Sequence, residues 1–126
     1  MKQIVNTTNA PAPIGPYSQA VIANGFLFLS GQVAINPETG DLNISSIPEE
    51  THQVMRNIKA VLLEASYTFD DVIKTTIFLS DMDLFAAVNE VYGSYFEKDF
   101  PARETVAVKG LPKGVNVEIS MTAFKK

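Results

Sequence analysis

The order of apolar and polar residues predicts short strands interrupted by two helices. Residues 20–33 hold two apolar runs split by Asn24-Gly25, a dipeptide that favours the primed two-residue turns of a hairpin, so two antiparallel strands are expected. The second run, Phe26-Leu27-Phe28-Leu29, does not alternate, which predicts a strand covered on both faces. Residues 36–41 form a turn cluster, and Ser46-Ile47-Pro48-Glu49 has capping-box spacing with a proline in the first helical turn. Val54, Ile58, Val61, Leu62 and Ala65 then recur at helical spacing, with Arg56, Lys59 and Glu64 away from that stripe.

Val72 to Leu79 is rich in β-branched residues and predicts another strand. In Ser80-Asp81-Met82-Asp83 an aspartate can cap a second helix, whose apolar face is Leu84, Val88, Val91, Tyr92 and Tyr95. Beyond Pro101, strands are expected over Glu104–Val108 and Val115–Phe124, joined by the turn at residues 110–114. The segment from Thr7 to Pro16 carries three prolines and a glycine, which makes it a non-repetitive loop leading into Tyr17. The order is β-β-α-β-α-β-β, with a further short strand near Ile4. It describes an α/β (α+β) fold, a single mixed β-sheet with two crossover helices packed on one face.

Two helices leave the other face bare. In the last strand Val115, Val117, Ile119, Met121 and Ala123 point one way and Asn116, Glu118, Ser120 and Thr122 the other, so Glu118 lies opposite the core. The preceding strand puts Arg103, Thr105 and Ala107 on one side and Val106 and Val108 on the other, and Arg103 is expected to share Glu118's surface. Apolar groups on both faces of residues 26–29 and 72–79 would expose a hydrophobic patch in a monomer. A homo-oligomer closing that second face is the expected remedy.

Composition narrows the chemistry. A chain of 126 residues fits one domain over residues 1–126. The polar start, Met1 to Asn9, and the lack of a long apolar run point to a cytoplasmic protein with no membrane partner. With no cysteine and one histidine, disulfides, thiolate chemistry and Cys/His metal centres are out of reach, and no metal is expected. His52 is read as a solvent-facing structural residue. A net charge of -4 argues against nucleic acid as a partner.

Five segments in order, Ile14-Gly15-Pro16-Tyr17-Ser18-Gln19, Ser30-Gly31-Gln32, Asn89-Glu90-Val91-Tyr92, Pro101-Ala102-Arg103 and Leu111-Pro112-Lys113 with Val117-Glu118-Ile119, carry a resemblance. The chain resembles the Rid family, also called YjgF-like, from about Ala10 to Ala123. The resemblance implies a chorismate-mutase-like (YjgF-type) homotrimer with active sites between subunits. It also implies hydrolytic deamination of 2-iminobutanoate and 2-iminopropanoate to 2-keto acids and ammonia, without a cofactor.

The residues that match the family's motifs carry these roles by resemblance. Arg103 would take the substrate carboxylate in a bidentate pair; a salt bridge is the plainer alternative. Glu118 would orient the attacking water, or else pair with Arg103 as a structural ion pair. Tyr17 would offer its ring and hydroxyl, or simply pack in the core. Ser30 and the backbone of Gly31 would face the substrate from the neighbouring subunit, or merely end a strand. Asn89 would bind substrate, or cap or bridge elements. Thr105 stands where many relatives carry a cysteine, so no thiol serves here, though its backbone could contact substrate. The competing function is a non-catalytic small-molecule sensor or regulatory partner using the same cleft. A ribonuclease or nucleic-acid partner, claimed for some relatives, sits poorly with the acidic charge.

Overall fold

Asn24 and Gly25 both take positive φ, 53° and 84°, the pair that a type I′ turn demands. They join strand β2 (Ala20–Ala23) to strand β3 (Phe26–Gln32) in antiparallel register, Ala23 opposite Phe26. A Cβ on residue 25 would fall 2.6 Å from the Lys125 carbonyl oxygen, so the close chain approach requires glycine as much as the turn does. The expected strand near Ile4 is present as β1 (Gln3–Val5), which pairs with β2. The computed structural model describes residues 1–126.

Helix α1 spans Ile47–Glu64. Ser46 caps it by accepting a hydrogen bond from the Glu49 amide, and Val54, Met55, Ile58, Val61 and Leu62 are buried beneath it. The same helix buries Glu50, Gln53 and Asn57, polar residues that an apolar stripe alone does not predict. Strand β4 (Val72–Leu79) follows. Asp81 caps a 3-10 turn over Met82–Leu84 rather than the helix itself, and that turn feeds helix α2 (Phe85–Gly93). Strands β5 (Ala102–Ala107) and β6 (Val117–Phe124) complete the chain. Both start at other residues than expected, because Arg103 is already paired with β4 while Val115 and Asn116 belong to the approach from the turn at Pro112–Gly114.

The six strands form one mixed sheet in the order β1-β2-β3-β6-β4-β5. The last strand is central, antiparallel to both β3 and β4, while β5 runs parallel to β4 at the edge. Helix α1 packs on β3, β6 and α2, so the core lies between one sheet face and the helices. Leu27, Leu29, Ile77, Leu79, Val117, Ile119 and Met121 fill it from the sheet.

The opposite face is open and apolar in part. Phe28 is 50% exposed and Val106 45%. Phe26 stacks with Phe28 and packs on Phe124 on that side. The expectation that residues 26–29 are covered on both faces is therefore corrected for the single chain: Leu27 and Leu29 are buried and Phe28 is not. An unbroken apolar run reports two greasy faces, and one helical layer covers only one of them.

Candidate active site

Glu118 sits on the open face near the start of β6, directly opposite Phe78 of β4. Burial raises its carboxyl above the ordinary 4.5, with no cation of its own chain to counter the shift. The strand that carries it is anchored from the far side. Glu50, fully buried on α1, accepts hydrogen bonds from the Asn116 amide at 2.7 Å, the Asn116 side chain at 2.9 Å and the Val117 amide at 3.1 Å. Three donors on one carboxylate compensate the cost of burying it.

Beside Glu118 the pairing of β3 with β6 shifts between Leu29 and Gln32, and Gly31 lies in that irregularity. Here the two strands, the end of the proline-rich segment and the loop after β3 surround a pocket of about 350 Å³. Tyr17, Ser30, Gly31 and Glu118 all line it, together with the apolar Ile14, Val33 and Ile35. The Ser30 hydroxyl donates to the Ser18 carbonyl at 2.7 Å, and the Tyr17 hydroxyl accepts from the Ile14 amide at 3.2 Å. The expectation that Ser30 and Gly31 reach Tyr17 from a neighbouring subunit is therefore corrected, since one chain supplies all three. Tyr17 is 49% exposed, which removes core packing as its role.

Two buried amides hold the pocket's walls. Gln19 accepts from the Thr7 amide and donates to the carbonyls of Thr7, Ala10 and Pro11, which fixes the proline-rich segment in place of regular pairing. Asn57 of α1 donates to the carbonyls of Val33 and Ile35. Neither was singled out from the sequence for a role of its own. Gln53 and Asn57, four apart on the same side as Ile58, are the signal that was available, since amides on an apolar face need partners.

Arg103 is elsewhere. It pairs with Thr75 on β4, whereas Glu118 pairs with Phe78; Thr75 and Phe78 are an odd number of residues apart on one strand and project to opposite faces. The expected shared surface is thus corrected: Arg103 lies on the helix side. Its guanidinium is 5.5 Å from the ring centre of Phe85 and 5.2 Å from that of Tyr92, and it donates to the Asn89 side chain at 2.6 Å. Both aromatic faces and the amide belong to α2, so the helix holds the cation at the sheet's edge. Alternation alone puts apolar Val106 toward the core, whereas this edge strand turns Val106 outward and Arg103 inward. Arg103, Asn89, Tyr92, Phe100 and Pro101 line a separate depression. Thr105 shares Arg103's side of β5, and its hydroxyl oxygen is buried without a hydrogen-bond partner.

His52, expected to face solvent, is instead half-buried, with Nδ1 2.8 Å from the Tyr95 hydroxyl and its ring packed on Tyr95. The end of α2 turns aromatic residues back over α1, which covers this histidine. No group of three or more acidic, histidine or cysteine side chains is placed to hold a metal, and no helix is long and apolar enough to cross a membrane.

The family model described as Endoribonuclease L-PSP matches residues 7–125. A RutC family protein of Pyrococcus horikoshii is 51% identical over 126 residues, all of both chains. In structure, a protein of unknown function from the conserved Rid family, YyfA of Yersinia pestis, superposes with a TM-score of 0.96 at 50% identity, covering 99% of this chain and all of that one. The chain belongs to the Rid family. RidA of an Antarctic Psychrobacter gives a TM-score of 0.94 at 38% identity, over 98% of this chain and 99% of that one. The YjgF-type architecture is thereby established for this Rid protein. Within it, the seven residues singled out from the sequence separate into two groups, Tyr17, Ser30, Gly31 and Glu118 around the pocket and Asn89, Arg103 and Thr105 on the helix side at the sheet's edge.

Proposed function

We propose that this Rid protein hydrolyses reactive 2-imino acids, 2-iminobutanoate and 2-iminopropanoate among them, to 2-oxo acids and ammonia at a site shared between subunits. The observation that carries this is the incompleteness of each half. One pocket holds a desolvated carboxylate without a cation; one edge holds a steered arginine without a carboxylate. A single chain keeps them on opposite faces, and a second copy against the open face is what can bring one of each together. The exposed Phe28, Val106 and Phe124 supply the apolar area for that contact, three copies in the arrangement implied for the family.

In this assembly Arg103 of one subunit takes the substrate's carboxylate through its planar fork. Glu118 of another accepts a proton from water as the water oxygen bonds to the imine carbon, and the C=N electron pair moves to nitrogen. The carboxyl group returns its proton to nitrogen to give the neutral carbinolamine. The carbinol hydroxyl proton then passes through Glu118 to nitrogen, the oxygen electron pair forms the C=O bond, the C–N bond breaks and ammonia leaves. A raised carboxyl suits this exchange, because a base whose proton affinity lies closer to neutrality both takes and returns a proton readily. Tyr17, Ser30 and the Gly31 backbone border the reacting atoms, while Asn89 and the backbone of Thr105 serve the carboxylate end.

The family model's description names an endoribonuclease. A phosphodiester substrate would meet a net charge of -4 and a pocket lined by the carboxylate of Glu118 and by no lysine or arginine, and both oppose it. The deciding experiment couples a threonine dehydratase, which releases 2-imino acid, to semicarbazide trapping. Wild type is expected to lower trapping and Arg103→Ala is not. Trapping left unchanged by both would remove the enzyme reading for these substrates; retained 2-oxo acid binding would then favour a non-catalytic sensor.

A further inference from the structure

We infer that Asn57 is a positioning residue for the pocket: it fixes the wall formed by Val33 and Ile35 and thereby sets the length of aliphatic side chain the site accepts. The inference rests on the imine-hydrolysis reading for the class of substrate and on geometry for the rest.

After β3 the chain leaves the sheet at Val33 and bends back through an isolated pairing of Ile35 with Leu42. Val33 and Ile35 of this segment line the pocket, while Ala34 between them is buried in the core. The Ala34 carbonyl accepts from the Asn43 amide and the Val33 carbonyl from the Ile35 amide, each at 2.8 Å, which leaves the Ile35 carbonyl and the second lone pair of Val33 to be satisfied from α1. Asn57 meets that need from the helix with one nitrogen, which donates to the Val33 oxygen at 3.0 Å and to the Ile35 oxygen at 2.9 Å. The amide is itself oriented, since its oxygen accepts from the Gln53 amide nitrogen at 2.9 Å. The Gln53 oxygen in turn accepts from Arg56 and Asn43 at 3.3 and 3.4 Å. Among side chains of this length only a primary amide offers two donors and an acceptor together.

An apolar residue at this position would pack α1 on the sheet equally well. What the amide adds is a fixed separation between helix and wall. That separation matters because Val33, Ile35 and Ile14 carry no side-chain hydrogen-bonding group, so they recognise a substrate side chain by fit alone. In such a pocket one methylene changes discrimination by about tenfold or more. A wall shifted by less than the width of a methyl group therefore alters which imine is preferred.

The test uses the full-length protein carrying Asn57→Asp, nearly isosteric but unable to donate to two carbonyls while ionised. Turnover is measured on a short and a branched imino acid, binding of the two matching 2-oxo acids by calorimetry, and hydrogen exchange at the Ile35 and Asn43 amides. Expected are a KM raised about tenfold with kcat little changed, and a short-to-branched preference altered about tenfold. Exchange should quicken at Ile35 and Asn43 and stay slow in β4 and β6. Equal losses on both substrates, or quickened exchange throughout the sheet, would reduce Asn57 to a residue of general stability and overturn the inference. Should Asn57→Asp not fold, Gln53→Met frees the amide's orientation and is expected to move the same preference in the same direction; an unchanged preference there also overturns it. If wild type neither turns over imines nor binds 2-oxo acids, the functional reading fails and the selectivity claim with it, while the exchange data separately show whether Asn57 holds the wall.

Discussion

A Cβ placed on Gly31 would fall 2.5 Å from Oε2 of Glu118 and 2.8 Å from its Cδ. Residue 31 is thus the floor on which the carboxylate rests, and the absence of a side chain there gives Glu118 its position. Gly31→Ala is expected to swing the carboxyl group aside and lower kcat by about 100-fold, since misplacing a reacting group by about 1 Å has that effect. The melting temperature should move little, because Gly31 is exposed and the clash can be relieved by a side-chain rotation. Imine-trapping kinetics and thermal melting on one preparation check both parts.

Glu118 itself is predicted to set the acid limb of the rate profile. Its carboxyl is raised above 4.5 by burial, and the ionised form is the base, so kcat/KM should fall as pH drops through a value above 4.5. Glu118→Gln should abolish turnover and remove that limb from any residual rate while 2-oxo acid binding persists. Loss of binding along with turnover would instead assign Glu118 to ligand affinity.

Arg103 is held by Asn89 and by two aromatic faces. Arg103→Lys keeps the charge but loses both the fork and the stacking, and is expected to raise KM by at least about tenfold. Asn89→Ala frees the guanidinium without removing it and should raise KM by a smaller factor, with kcat nearly intact. Steady-state kinetics on the two variants decide this; equal behaviour of Asn89→Ala and wild type would leave Asn89 as a bystander.

Phe28 is exposed on the open face and does not line the pocket, although it stands only two residues from Ser30 on β3. Phe28→Lys places a charge in the surface assigned to the contact between copies. Sedimentation velocity should show a smaller species, and activity should vanish with it even though no pocket residue has changed. A full-sized, fully active assembly would move the contact to another surface.

The hairpin, both helices and the central strand were legible because each is specified by local chemistry: Asn24-Gly25 for the turn, Ser46 for the cap, Val117 to Ala123 for strict alternation. The face of Arg103 was not. β5 is an edge strand whose burial pattern alternates weakly, and apolar Val106 points outward to the face that the proposed function assigns to contact between copies. Sequence patterning records which groups are apolar but not which face they take, and a strand with apolar groups on both faces does not reveal which one meets the helices. The roles of Gln19 and Asn57 were illegible for a related reason, since a buried amide is recognised by carbonyls distant in sequence, 24 and 22 residues away for Asn57.

The placement of Arg103 and Glu118 on opposite faces has a genetic consequence. If every site draws its arginine from one chain and its carboxylate from another, two inactive alleles, one lacking each residue, are defective in different halves. Mixed assemblies of the two would pair the intact arginine of one product with the intact glutamate of the other. Cells expressing both should recover part of the activity that neither supplies alone, whereas two alleles damaged on the same face should not.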